Sequence, residues 1–313
     1  ESAGNAENGK ITENTRNAEG AAVETAETTE SKTAGDGTAE KEGASANEGE
    51  MIGEAVASIS GQDASVEGIA SEEAGAEYLK KKTESGTADG LRAQVEAALS
   101  GKNGTWSVYY KKMSTGESFT IGDQPMVAAS LIKLFVYGAV RKKIEAGQLE
   151  NTYDSTLRSM ITVSDNTACN TLIDAVGGFS EVNAFIQSIG CSSSQLNRKM
   201  LAAGPENYTS TRDCGFVLES ALNGTYVSQE TSRLLLEAMG AQTRKGKIPQ
   251  GVPAGVPTAN KTGELGGVEN DAAIVYAPSG NYILCVMSSN GNSGEQIAAI
   301  NQVSSIVYNY ENK

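Results

Sequence analysis

Every proline in this chain, and every aromatic residue except Tyr78, lies beyond residue 90. The first 90 residues are mainly Glu, Ala, Gly, Thr and Ser. They hold 20 of the 39 acidic side chains and 7 of the 25 basic ones, hence −13 of the formal −14. A segment with so little apolar surface cannot offset the entropy of ordering its backbone. Residues 1–88 are therefore expected to be a disordered acidic stalk, reaching roughly 50 Å root-mean-square as a flexible coil. Whatever folds must be built from residues 89–313, and the acidity of the chain says little about what that part binds.

Such a body is long enough for one sizeable core, in one or two lobes. The chain has no run of about 20 apolar residues that could cross a bilayer as a helix. It begins with Glu rather than Met, so a cleaved leader and a membrane anchor upstream of residue 1 are expected. The acidic segment would then space the body from its anchor; the alternative is an acidic leader with no spacing role. The expected location is extracytoplasmic, secreted or held at the outer face of the cytoplasmic membrane. A monomer with no nucleic-acid partner is expected.

The chain has no histidine. That removes every Ser-His-Asp and Cys-His mechanism, and zinc sites built on imidazole. The four cysteines, Cys169, Cys191, Cys214 and Cys285, show no C-x-x-C spacing, which argues against a zinc ribbon or a thioredoxin-type motif. A hydrolase made from this chain needs another base.

Residues 90–100 have helical spacing, and TWSVYYKKM (105–113) alternates as a strand that forms a hairpin with ESFTIGD. Residues 128–146 read as one long helix. Helices follow around the break at Ser164-Asp165-Asn166, with Ser180 as the expected cap of SEVNAFIQSIG. Residues 192–210 read as a loop, followed by helices near 211–222 and 228–239. A Gly- and Pro-rich link, 246–257, leads to two strands, GGVENDAAIVYA and NYILCVMSS, and a closing helix. Strands at both ends and helices between predict a mixed α/β fold of the α+β type. Terminal helices would cover an antiparallel sheet, the central helices would form a second lobe, and a site would lie in the cleft between.

Inside the apolar run AASLIKLFVYGAV sits one cation, Lys133, three residues after Ser130. On a helix these two share a face. A serine in the first turn sits at the positive end of the helix dipole, and a lysine with a lowered pKa can take its proton. Alone, S-x-x-K is weak, because a chain of this length yields about one or two by chance. Ser164-Asp165-Asn166 offers a hydroxyl to relay a proton and an amide to bind a carbonyl or the lysine; alone, it is an ordinary helix start. Lys261-Thr262-Gly263 offers a cation and a hydroxyl for a carboxylate, a glycine for close approach to the backbone, and a second cation to depress Lys133. Alone, it is a lysine on a strand edge.

The ordered trio is far more specific than its members. With the longer stretches ITVSDNTACNTLI and ANKTGEL, the body resembles the class A β-lactamases and penicillin-recognising serine hydrolases over roughly residues 90–313. The resemblance implies that Ser130 is the acylated nucleophile, Lys133 a proton acceptor, and Ser164 a shuttle to the departing nitrogen. It implies that Asn166 contacts the substrate amide and that Lys261, Thr262 and Gly263 hold the substrate carboxylate end. The oxyanion hole would be the peptide N–H groups of Ser130 and Glu264. No metal or cofactor is implied. The substrate would be a small β-lactam or a peptidoglycan stem peptide.

Three features depart from that family, one of them a segment between the first two motifs that is shorter than is usual in class A enzymes. The loop QLNRKMLAAGPENYTSTRD has no Glu-x-x-Leu-Asn, whose Glu would activate the deacylating water. Its one glutamate, Glu206, is either a substitute base or a structural acid near the next helix. Position 270 is Asn, where many class A enzymes carry an arginine for the substrate carboxylate. Cys191 and Cys214 bracket the loop, either as a disulfide or as buried thiols. Three readings follow: a β-lactamase, a D-alanyl peptide hydrolase of the cell wall that is acylated by β-lactams and slow to release them, or a non-turnover β-lactam or wall-binding module.

Overall fold

The computed structural model of the protein describes residues 88–313; the stalk expected over 1–88 lies, apart from Ala88, outside the described residues. The strands are β1 Thr105–Lys112, β2 Ser118–Ile121, β3 Met126–Val127, β4 Tyr208–Thr209, β5 Thr258–Leu265, β6 Val268–Ala277 and β7 Gly280–Ser289. The α-helices are α1 Asp89–Leu99, α2 Lys133–Glu145, α3 Asp154–Thr162, α4 Asn166–Ala175, α5 Phe179–Ser188, α6 Thr211–Leu222, α7 Gln229–Gly240 and α8 Ser293–Glu311. Five strands form an antiparallel sheet in the order β2-β1-β7-β6-β5, and β3 pairs with β4 beside it.

The two-residue period of β7 divides the core. Tyr282, Leu284 and Val286 point into one cluster with Val108 and Tyr110 of β1, Leu91 and Val95 of α1, and Val303 and Val307 of α8. Ile283, Cys285 and Met287 point into the other, shared with the helical lobe. A strand covered on both faces reads as a near-continuous apolar run, and β7 is apolar from Tyr282 to Met287. Each such side chain contributes roughly 2 kcal/mol of burial. Leu91, Val95 and Leu99 form the buried stripe of α1, spaced by one helical turn. The expected sheet, covering helices and helical lobe are therefore present.

Helix α2 is the axis of that lobe: every residue from Lys133 to Arg141 is buried. Gly138 is required there, because a Cβ would lie 2.2 Å from Tyr226 Oη and 2.5 Å from the Phe185 ring. Helices α4, α6 and α7 start at side-chain caps, Asp165, Ser210 and Ser228, each accepting from a backbone N–H three residues on.

Three local expectations need correction. The run 128–146 is not one helix: Ala129–Ile132 is a 3-10 turn and α2 begins at Lys133. Ser180 does not cap α5; the N-cap is Gly178, at φ 92°, and Ser180 lies within the helix. The link 246–257 leads to three strands rather than two, because Lys261-Thr262-Gly263 belongs to β5. β5 is an edge strand, yet its first six residues are buried, so an exposed edge does not describe it. The four cysteines are buried thiols, with no disulfide across the loop.

Candidate active site

The segment before α2 is tied down from two sides. Ala128 N–H donates to Asn207 O at 2.8 Å, and Asn270 Nδ2 donates to Val127 O at 2.9 Å and Ala128 O at 3.2 Å. Asn270, at the position discussed above for an arginine, is thus a buried tie between β6 and this segment. The clamp holds Ala129 at φ 46°, a left-handed conformation costing a residue with a Cβ about 1–2 kcal/mol. Ser130 follows, on the 3-10 turn. Residues three apart eclipse in a 3-10 turn, so Ser130 and Lys133 still face the same way.

Lys133 is fully buried. Its Nζ donates to Ser164 O at 2.7 Å, Asn166 Oδ1 at 2.7 Å and Ser164 Oγ at 3.2 Å. Ser164 is left-handed at φ 60°, and presents both its carbonyl and its hydroxyl to the lysine. Lys261, also fully buried, donates to Ser164 Oγ at 2.9 Å and Thr262 O at 2.7 Å. One hydroxyl therefore lies between two lysines, each bound, among the described residues, to neutral oxygens.

Burial lowers the Lys133 pKa to about 8; the nearby Cys169 and Asp165 oppose that shift and Arg244 adds to it. Burial also lowers Lys261, and the charge of Lys133 lowers it further. The repulsion between the charges of Lys133 and Lys261 is mutual, so Lys261 is a second cation disfavouring the charge of Lys133, as expected, and Arg244 adds to the effect.

Gly263 has a steric reason: a Cβ would lie 2.8 Å from Ala128 O and 3.3 Å from Ala129 Cβ. β5 can therefore lie directly against the segment that carries Ser130. Ser130, Ser164, Asn166, Arg244, Thr262 and Glu264 line one cavity. The three motifs, separate in sequence, converge there.

Residues 192–207 form the far wall. Asn170 of α4 clamps Met200 on both sides, Oδ1 accepting from Met200 N at 2.7 Å and Nδ2 donating to its carbonyl at 3.2 Å. Arg198, Met200, Leu201 and Glu206 line a second cavity that shares Ser130, Asn166 and Glu264 with the first. Glu206 Oε2 is 2.6 Å from Arg198 Nη2. Its partner is that arginine rather than the start of α6, whose cap is Ser210.

Arg244 was not singled out from the sequence. It stands in the loop after α7, its backbone fixed by Gln242 Oε1 on its N–H and Asn260 Nδ2 on its carbonyl. Its guanidinium binds the Glu264 carboxylate. A loop arginine far from any motif carries no periodic or spacing signal that would reveal it. Among the described residues no group of three or more Cys, Asp or Glu side chains is placed to hold a metal ion.

The model of the family described as the beta-lactamase enzyme family matches residues 90–158 and 150–311. The chain is 28% identical over 194 residues to the extended-spectrum beta-lactamase PER-1 of Pseudomonas aeruginosa, a match covering 56% of this chain and 63% of that protein. It thus spans somewhat under two thirds of that relative's length. The structure of PBP-A superposes with a TM-score of 0.68 at 27% identity, over 72% of this chain and 97% of PBP-A. A point mutant of PBP-A, solved as an acyl-enzyme complex with penicillin G, superposes with a TM-score of 0.67 at 27% identity, over the same shares of the two chains, 72% and 97%.

Proposed function

The chain belongs to the beta-lactamase enzyme family, and from that premise we propose that it is a serine hydrolase whose Ser130 opens the amide of a β-lactam ring through an acyl-enzyme. The observation that carries this reading is the Ser164 hydroxyl held between Lys133 and Lys261, beside a cavity that Ser130 lines. Ser130 Oγ attacks the carbonyl carbon, and its proton passes to the neutral form of Lys133. With a pKa of about 8, roughly a tenth of Lys133 is neutral at pH 7. The tetrahedral oxyanion is received by the peptide N–H groups of Ser130 and Glu264. As the C–N bond breaks, Ser164 passes a proton to the departing nitrogen, and Lys133 restores it through the bond between them. Asn166 meets the substrate amide, and Lys261 with Thr262 supplies positive field at its carboxylate end. Gly263 leaves room for the chain between them. No step needs a cofactor.

Release of the acyl group is the step the loop leaves weakest. Glu206 and Glu264 are the carboxylates lining the cavities, and each is bound by an arginine. Against the opposing effect of burial, Lys247 and Arg244 hold Glu264 below the usual glutamate range, which makes it a poor base, and the Glu206 carboxylate is committed to Arg198 at 2.6 Å. That favours a second reading: a penicillin-binding D-alanyl peptide hydrolase that keeps its adduct, acting on wall stem peptides. Either enzyme would work outside the cytoplasm, and no helix among the described residues is long and apolar enough to cross a membrane.

Intact mass followed over time after mixing with a penicillin tests both readings, with Ser130→Ala as control. An adduct on the unmutated protein alone is expected. Decay within minutes with free product marks a β-lactamase, persistence over hours marks the slow hydrolase, and an adduct on the Ser130→Ala protein overturns the nucleophile.

A further inference from the structure

Two arginines reach the cavities around Ser130, and each is held by a glutamate lining the same space: Arg244 by Glu264 and Arg198 by Glu206. They are not equally accessible. The Arg244 side chain is 49% exposed and that of Arg198 is 11% exposed. Among the described residues, the other cations beside Ser130 are buried and already donate to protein groups, so they offer an incoming anion a field rather than an exposed ion pair. Lys133 and Lys261 are fully buried, with their donors on Ser164, Asn166 and Thr262 O. Lys247 is buried against Glu264 and Glu269. Among the described residues lining the cleft, an anionic group therefore meets one well-exposed cation, Arg244, and finds a carboxylate already on it.

That carboxylate is anchored. Glu264 Oε1 lies 3.3 Å from Lys247 Nζ, while Oε2 receives Arg244 Nη1. Burial opposes its charge, but Lys247 and Arg244 outweigh that and hold its pKa below the usual glutamate range. Glu264 thus presents Arg244 with the same chemical group that a substrate carboxylate would present.

We propose that the Glu264 side chain sets the selectivity of the site for the anionic end of its substrate, by competing with the substrate carboxylate for Arg244. This rests on the acyl-transfer reading above and adds to it a role for a side chain whose peptide alone was assigned one. A substrate with a neutral group at that end loses nothing to the competition. A substrate with a carboxylate binds more weakly than it would to an unpaired arginine. The exchange is between ion pairs at a partly exposed position, so its size is modest and salt weakens it.

The test uses Glu264→Gln, which keeps the shape and an acceptor oxygen and removes the charge. Binding of benzylpenicillin and of its methyl ester is measured at equilibrium in a Ser130→Ala background. Acylation by both is followed by intact mass with Ser130 present. Glu264→Gln should tighten binding of the acid, and speed acylation by it, by about three- to tenfold at low salt. The gain should shrink at about 1 M salt, where the screening length falls to about 3 Å. The ester should change less than about twofold, and adding Arg244→Ala should remove the gain, as expected of coupled neighbours. Equal effects on acid and ester, or weaker binding of the acid, overturn the proposal. So does a failure of every variant to bind the acid. The two readings fail separately: an adduct with no acid–ester difference sinks the selectivity alone, whereas Glu264-dependent binding of the acid without any adduct sinks the acylation alone.

Discussion

Lys133 and Lys247 are both buried lysines, 0% and 3% exposed, and they are bound in opposite ways. Lys247 Nζ meets two carboxylates, Glu269 at 2.6 Å and Glu264 at 3.3 Å, and the carbonyls of Gly263 and Asn270. Lys133 meets a carbonyl, a hydroxyl and an amide oxygen, and forms no ion pair among the described residues. Carboxylates stabilise a buried ammonium where the charge must stay. Neutral oxygens orient the amine without compensating its charge, so burial makes that charge expensive. Lys261 follows the pattern of Lys133, with Ser164 Oγ and Thr262 O as its acceptors. The way a buried lysine is partnered therefore separates the two proposed for acyl transfer from Lys247, which carboxylates hold in its charged form.

The largest expected effect falls on Lys133. Lys133→Ala should slow acylation by about 10³-fold, the loss of a general base, while the protein stays folded. Lys133→Met should raise the melting temperature at pH 7, because it replaces a desolvated cation with an apolar chain of similar length. Unchanged acylation in a folded Lys133→Ala protein would end the assignment of the base. Lys247→Met should do the reverse, costing about 3 kcal/mol of stability by leaving Glu264 and Glu269 without their shared cation. Chemical denaturation of the two variants side by side measures this, and a stabilised Lys247→Met protein would break the comparison.

The elements that carry Lys133 and Ser164 were legible because their chemistry is packed into short fixed spacings. Ser130 and Lys133 are three apart, so any helical turn, α or 3-10, brings them to one side. The wall holding Lys247 and Arg244 was not legible. β5 reads TANKTGEL, too polar for a buried strand by pattern alone, because the bonds that let it be buried come from distant residues. Asn260 Nδ2 reaches Asp271 Oδ1 at 3.0 Å and Lys261 reaches Ser164. The start of the long helix is hidden for a related reason: a 3-10 turn and an α-helix share the same apolar letters. Only the clamp from Asn207 and Asn270 forces Ala129 into the conformation that separates them. Glycine took the cap of α5 from Ser180 because its φ of 92° suits a residue without a Cβ.

The comparison also has a pH signature. Acylation needs neutral Lys133, so its rate should rise about tenfold from pH 7 and level off above about pH 8 to 9, following the pKa of about 8. Stability should respond to the same group. The folded pKa, about 8, lies below the reference value of 10.5, so the folded state binds fewer protons between them. Where the unfolded state binds more protons, stability rises with pH. The Lys133 contribution is therefore a full penalty below pH 8 that is relieved towards pH 10.5. Subtracting the stability of Lys133→Met from that of the unmutated protein isolates it, and a flat difference across that window would show that the amine is not held against its charge.

The smallest effect is expected at Glu206. Its carboxylate is committed to Arg198 at 2.6 Å, and its side chain is 37% exposed. Glu206→Gln should lower stability by less than about 1 kcal/mol, the usual worth of a partly exposed ion pair. If the pair is only structural, the lifetime of a penicillin adduct on Ser130 should change by less than about twofold. A lifetime extended by about tenfold or more would make Glu206 the group that activates the deacylating water. A carboxylate bound by a guanidinium would then be exchanging protons on the catalytic path. The rule drawn from Lys133 and Lys247, that a buried lysine partnered by carboxylates is held for structure, would then not extend to a carboxylate partnered by a cation.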